Sequence, residues 1–302
     1  MNFLFHILAV IGIYCILSWG YALVFRLAGM LSLAYGCYFA IGAYVYALGV
    51  RHLPFFPLLL IGVASATAFG MVEAVLSWRL KGDFLFVGSL ALQAVVYSLA
   101  LNWVDIGQPP GSWSNLTNGA FGLPGLPRPA IFGITLDTES GYLALVAIVV
   151  IIGFCVYRNL VFSPWGRIVE MSRDDELAAA TLGKSPRSLR VGVLLVAAGF
   201  GALGGMLYAA QTGFVDPDVA VLSQVIAILA MVATADLLGS RSPVVGAAVL
   251  IALPEALRFA RLSSTYAANV QVLAYGLLLI GVAHVSRTRS ARTVRPHEAN
   301  DR

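Results

Sequence analysis

The sequence predicts an all-α fold, a polytopic integral membrane helical bundle of about nine spans. Three observations carry that class: 59% of the 302 residues are hydrophobic, only 11% are charged, and the mean hydropathy is +0.85. A domain of this size that keeps its surface in water needs more charge than that. Apolar stretches approaching the ~20 residues that cross hydrocarbon recur along the whole chain. They fall near 3–25, 27–50, 54–78, 84–105, 141–162, 191–211, 221–239, 243–261 and 268–285.

The first stretch reads as a retained helix, because Met1 to Val10 carries no Lys or Arg and no small-residue cleavage site follows. The second and sixth are rich in small residues, among them Gly29, Gly36, Ala40, Gly42, Gly201 and Gly205. Such positions serve either tight helix packing or unwound backbone that lines a cavity. Polar residues inside spans are costly in lipid, so Glu73, Gln93, Asn102, Asp236 and Glu255 should face protein or water. Glu255 can pair with Arg258 three residues on. Gln93 lies nearer mid-span, where it can meet a passing polar substrate or bridge two helices. Gly36, Gly42 and Gln93 are therefore the candidates for a translocation path.

Between the fourth and fifth spans the loop 106–139 is rich in Pro and Gly. Its Trp113 suits a docking anchor for a soluble protein, since buried aromatics dominate interface energies, or a residue of the membrane interface. Between the fifth and sixth spans runs the longest polar stretch, 163–190. Its centre reads as a short surface helix from Ser172 to Gly183. Ser172 and Asp175 match a capping box, Asp174, Asp175 and Glu176 suit the positive end of the helix dipole, and Gly183 is a stop. Ser185-Pro186 opens the next helix. Leu177, Ala178, Thr181 and Leu182 share one side at helical spacing. A membrane protein that displays such a helix to water has use for a soluble partner.

Charge sets the orientation. Six of the 19 basic residues lie between Arg158 and Arg190 and five in the tail 286–302, whereas the loop 106–139 holds only Arg128. The positive-inside bias puts the first two in the cytoplasm and the last outside, with the N-terminus outside and the C-terminus cytoplasmic. The net charge of +4 thus reflects topology and anionic membrane lipid, and no basic-aromatic interleaving points to nucleic acid.

Other chemistries find no pattern. Cys15, Cys37 and Cys155 sit singly within spans and His6, His52, His284 and His297 are scattered, so neither a disulfide framework nor a metal site is expected. Gly183-Lys184-Ser185 imitates the end of a phosphate-binding loop, but position 178, where the first Gly belongs, is Ala. No nucleotide, cofactor or catalytic group is expected on this chain, and ATP hydrolysis would belong to a separate subunit.

Two sets of residues carry a resemblance. Gly29-Met30-Leu31-Ser32-Leu33-Ala34-Tyr35-Gly36 is followed by Phe39-Ala40-Ile41-Gly42-Ala43-Tyr44. Later come Gly166-Arg167-Ile168, Arg173 through Gly183, Gly201 through Ala209, Phe214-Val215-Asp216-Pro217, Leu238-Gly239-Ser240, Pro243 through Ala247 and Leu253-Pro254-Glu255. Their order over 29–258 resembles the permease subunits of branched-chain amino-acid ABC importers, and of the two permease types the one with the longer outer loop. Asp236-Leu237 and Arg241-Ser242 depart from the family's glycine- and tryptophan-containing turn, and Leu92-Gln93 from its fourth span. Relatives carrying urea, short amides or aromatic acids therefore stay open as alternatives, as does a secondary transporter.

The resemblance implies a bacterial inner-membrane, multi-pass permease domain at 1–285. It implies a coupling loop at 163–190 that docks on two ABC ATPase subunits, a second and related permease subunit, and an external substrate-binding protein. Ala178, Ala179 and Gly183 match the coupling helix's small positions, and Arg173, Asp174 and Glu176 are placed to set register at its rim.

Overall fold

The computed structural model describes residues 2–80, 82–131, 134–136, 138–237, 243–259 and 273. Apart from Leu273, the span expected at 268–285, the tail 286–302 and the side chains of Asp236, Arg241, Glu255 and Arg258 lie outside the described residues.

Among the described residues the chain forms ten α-helices. They are α1 (Asn2–Ala22), α2 (Tyr35–Gly49), α3 (Phe55–Arg79), α4 (Asp83–Asn102), α5 (Glu139–Phe162), α6 (Pro164–Asp174), α7 (Glu176–Thr181), α8 (Pro186–Thr212), α9 (Leu222–Leu237) and α10 (Val244–Phe259). Five are long and apolar enough to cross a membrane: α1 with its extension to Leu27, α3, α4, α5 and α8. The chain divides into two compact units, Met1–Ile226 and Ala227–Arg302. In the second, Gly246 of α10 lies directly on the backbone of Met231 in α9, and Thr234 Oγ1 donates to Ala230 O at 2.7 Å.

In the first unit the continuous span expected at 27–50 is broken. A π-helical turn, Leu23–Leu27, ends α1, and the chain runs without helix to Tyr35. Gly29 takes φ +65, a left-handed conformation that ends the helix without the steric penalty a Cβ brings. Side chains then satisfy the freed backbone, as an apolar surrounding demands. Leu33 N donates to Ser89 Oγ at 2.9 Å, and Ala34 N to Ser32 Oγ at 3.2 Å. The 15 residues of α2 reach about 22 Å, short of the ~30 Å of hydrocarbon.

The core of this unit is aromatic, with Trp19, Tyr21, Tyr35, Tyr38, Tyr46 and Tyr142 buried. Tyr35, Tyr46 and Tyr142 donate hydroxyl hydrogen bonds to the carbonyls of Leu17 (2.8 Å), Pro127 (2.7 Å) and Leu207 (2.5 Å). An added Cβ at Gly42 or Gly205 would overlap the facing helix's backbone, at Ala202 and Phe39 respectively, so α2 and α8 touch backbone to backbone. By contrast, α3, α4 and α5 turn apolar side chains such as Leu60, Phe84 and Ile151 outward.

The long loop after α4 is pinned to the turn after α8. The two-residue strands β1 (Leu123–Pro124) and β4 (Phe214–Val215) pair antiparallel, and Leu126 N donates to Gly213 O at 3.0 Å. A hairpin of β2 (Ala130–Ile131) and β3 (Ile134–Thr135) completes the loop. After β4 a 3₁₀ turn, Pro217–Ala220, leads into α9.

Candidate functional site

The polar stretch 163–190 folds into two helices. Ser163 caps α6 by accepting from Gly166 N at 3.0 Å, with Pro164 at the first helical position, where a missing N–H costs nothing. The single helix expected from Ser172 is corrected: Ser172 is buried within α6, and the break comes at Asp175. There the extended backbone (φ −148, ψ 104) frees the carboxylate to cap α7, accepting from Leu177 N at 2.8 Å and Ala178 N at 3.0 Å. Gly183, at φ +71, closes α7 as the stop residue, with Lys184 N donating to Ala179 O at 3.0 Å.

The geometry sorts the predicted loop residues. Ala179 is 0% exposed and faces its own chain, Ala178 is half-buried, and Gly183 faces open space, with nothing within 4 Å of where a Cβ would stand. The outward surface of α7 and its stop is instead apolar, with Leu177 76% and Leu182 65% exposed. The charges serve the chain itself. Glu176 pairs with Arg190 of α8. Arg173 pairs with Asp174 at 2.8 Å, donates to Arg26 O at 2.5 Å, and lays its methylenes against Gly29. The loop thus grips the start of the broken segment, and a cavity of about 520 Å³ lies between them, lined by Gly29, Leu31, Asp83, Arg173, Glu176 and Arg190.

Gln93 and Gly36, both named from sequence, meet inside the bundle. Gln93 is 2% exposed; its Nε2 donates to Ala220 O in the second irregular turn, and its Oε1 accepts from Cys37 Sγ at 3.2 Å. A Cβ on Gly36 would stand 2.6 Å from Gln93 Nε2 and 2.7 Å from Val225, so any larger residue there would displace these side chains. Gly42 is not part of this cluster; it packs on Ala202.

Glu73 of α3, 1% exposed, was missing from the predicted path. It accepts hydrogen bonds from Ser32 in the broken segment and from Tyr38 in the first turn of α2. Its position within a span was visible in the sequence, whereas its partners, 41 and 35 residues away, were not. In the loop after α4, Trp113 is 82% exposed and stands edge-on to Trp103, whose indole N–H donates to Trp113 O at 2.8 Å. Burial pushes the carboxyl of Asp216, in the turn after β4, above the usual range, and Asp218 beside it adds to the rise.

Comparison with known proteins fits this arrangement. The family described as "Branched-chain amino acid transport system / permease component" matches residues 3–283. The chain is 33% identical over 265 residues to the high-affinity branched-chain amino acid transport system permease protein LivM of Escherichia coli, covering 79% of this chain and 60% of that one. It is 34% identical over 266 residues to LivM of Salmonella typhimurium, with the same coverage. A probable branched-chain amino acid transport permease protein LivM of Methanocaldococcus jannaschii is 26% identical over 163 residues, 51% of this chain and 43% of that one. The chain therefore spans 60% of the length of the first two relatives. No solved structure matches it. With a family match over nearly the whole chain, the chain belongs to the branched-chain amino acid transport permease family.

Proposed function

We propose that this chain is a membrane-spanning permease subunit of an ATP-driven importer of branched-chain amino acids. It sits in the bacterial inner membrane with its N-terminus outside and the 163–190 loop in the cytoplasm. It works beside a second, related permease subunit, two ABC ATPase subunits and an external substrate-binding protein that approaches the loop bearing Trp113. The observation that carries the reading is α7, a capped and stopped helix that turns Leu177 and Leu182 to solvent. Two large apolar side chains on an otherwise charged loop suit a groove on a soluble partner.

The loop's inward bonds supply the coupling. Closure of the ATPases shifts α7; the Glu176–Arg190 pair passes that shift to α8, and the contacts of Arg173 with Arg26 O and Gly29 pass it to the broken segment. Ala178 and Gly183 permit close approach at the docking face, and Asp174 lies at its rim. Gly36 and Gln93 are assigned to the translocation path, a reading supported by their meeting inside the bundle beside the irregular turn at Ala220.

The test is co-expression with the partner permease, ATPases and binding protein, reconstitution in liposomes, and uptake of labelled leucine, urea and benzoate. Leucine uptake that requires ATP supports the reading. Uptake of urea or benzoate instead changes the solute, and uptake without the ATPases overturns the class. Leu177→Glu with Leu182→Glu should insert normally and lose the ATPases on purification; normal co-purification would sink the assignment of α7.

A further inference from the structure

A carboxylate inside a membrane bundle is costly unless it is paired or serves a function. Among the described residues no Lys, Arg or His forms an ion pair with Glu73. Each of its oxygens takes one hydroxyl, Ser32 on Oε1 and Tyr38 on Oε2. Ser32 Oγ already accepts from Ala34 N, so its own proton points to the carboxylate. In either protonation state the carboxyl group keeps acceptor capacity beyond these two hydroxyls.

The surroundings restrict what a further donor is. Ser32 belongs to the broken segment, and discontinuous helices of this kind are what many transporters build their solute sites from. Tyr38 continues into an edge-to-face aromatic wall, with Tyr35 at 5.8 Å and Phe69 at 6.2 Å between ring centroids. Leu31, one residue before Ser32, lines the cavity beside the 163–190 loop. A small cation with an aliphatic body fits an acid walled by aromatic rings. We propose that Glu73 is a solute-binding residue that takes the ammonium group of the transported amino acid, with Ser32 and Tyr38 as its positioning residues. This rests on the amino-acid reading above.

The experiment uses the reconstituted assembly. Glu73→Gln keeps an oxygen that accepts from one of the two hydroxyls, turns an amide N–H toward the other, which can accept it, and removes the charge. It should assemble, keep ATPase stimulation by loaded binding protein, and lose leucine uptake by about tenfold or more, the scale of one hydrogen bond to a charged group. Glu73→Asp should keep part of the uptake. Leucine uptake by Glu73→Gln at the wild-type rate overturns the proposal, since a neutral acid that merely ties α2 to α3 is replaceable by an amide.

A second measurement is independent of transport: infrared difference spectra of the wild-type assembly on adding leucine or isopentylamine. A carboxylate band that shifts with both and vanishes in Glu73→Gln is the expected result. If Glu73→Gln fails to assemble, Glu73→Asp assigns the band through its displaced frequency. No Glu73-dependent band with either compound overturns the proposal whatever the uptake result. Absence of leucine uptake by the wild-type assembly, with the isopentylamine band present, overturns the substrate reading alone.

Discussion

Gly29 and Asp216 are single positions where backbone or charge decides the outcome. At φ +65, with the methylenes of Arg173 standing where a Cβ would go, a side chain at Gly29 is strained. Gly29→Ala should destabilise the permease by about 1–3 kcal/mol, the cost of a non-glycine residue in the left-handed region, read as a lower unfolding midpoint in detergent. The carboxyl of Asp216 is raised in the folded chain by burial and by Asp218. The folded state therefore holds its proton more tightly than the unfolded state does. The stability this contributes is complete below the ordinary carboxylate range and is lost as pH rises through the raised value. Asp216→Asn should flatten that fall, and a pH series of unfolding midpoints checks it. The acids and glycines were legible in the sequence one by one. Which of them meet was not: Gln93 reaches Cys37 and Ala220, the latter 127 residues away.

At the scale of elements, local chemistry was read well where it closes within a few residues. Gly183 stops α7, and Ser185 with Pro186 opens α8, as expected. The start of the loop helix was misread because Ser172 and Asp175 both fit a cap. Asp175 holds that role, since its extended backbone leaves two amides of α7 within reach. Asp175→Ala should cost α7 about 1 kcal/mol, seen as faster hydrogen exchange at Leu177 and Ala178 with α6 unaffected. The break at 28–34 escaped the apolar periodicity for a different reason. The hydroxyl of Ser89, supplied by another helix, satisfies the amide of Leu33, and hydropathy along one segment does not register a donor or acceptor from elsewhere.

Over the molecule as a whole, the contacts form a line from Arg173 in the polar loop to the buried Glu73. It runs to Arg26 O and Gly29, then along the broken segment to Ser32. Arg173→Ala should leave the ATPases bound while uptake per ATP hydrolysed falls severalfold. Loss of ATPase binding instead would place Arg173 at the docking surface. The sequence by itself determined the class of molecule, the rough placement of the spans that fall among the described residues, the polar loop and its stop, because hydropathy and capping are local properties. Only the tertiary structure decided that the first part of the second span is not helical, that Ala179 faces inward while Leu177 and Leu182 face out, and that Glu73 meets Ser32 and Tyr38. Those outcomes depend on which helices lie side by side. In a chain this apolar, burial in lipid favours every span alike, and backbone approach at Gly42 and Gly205 and a few buried hydrogen bonds select the neighbours.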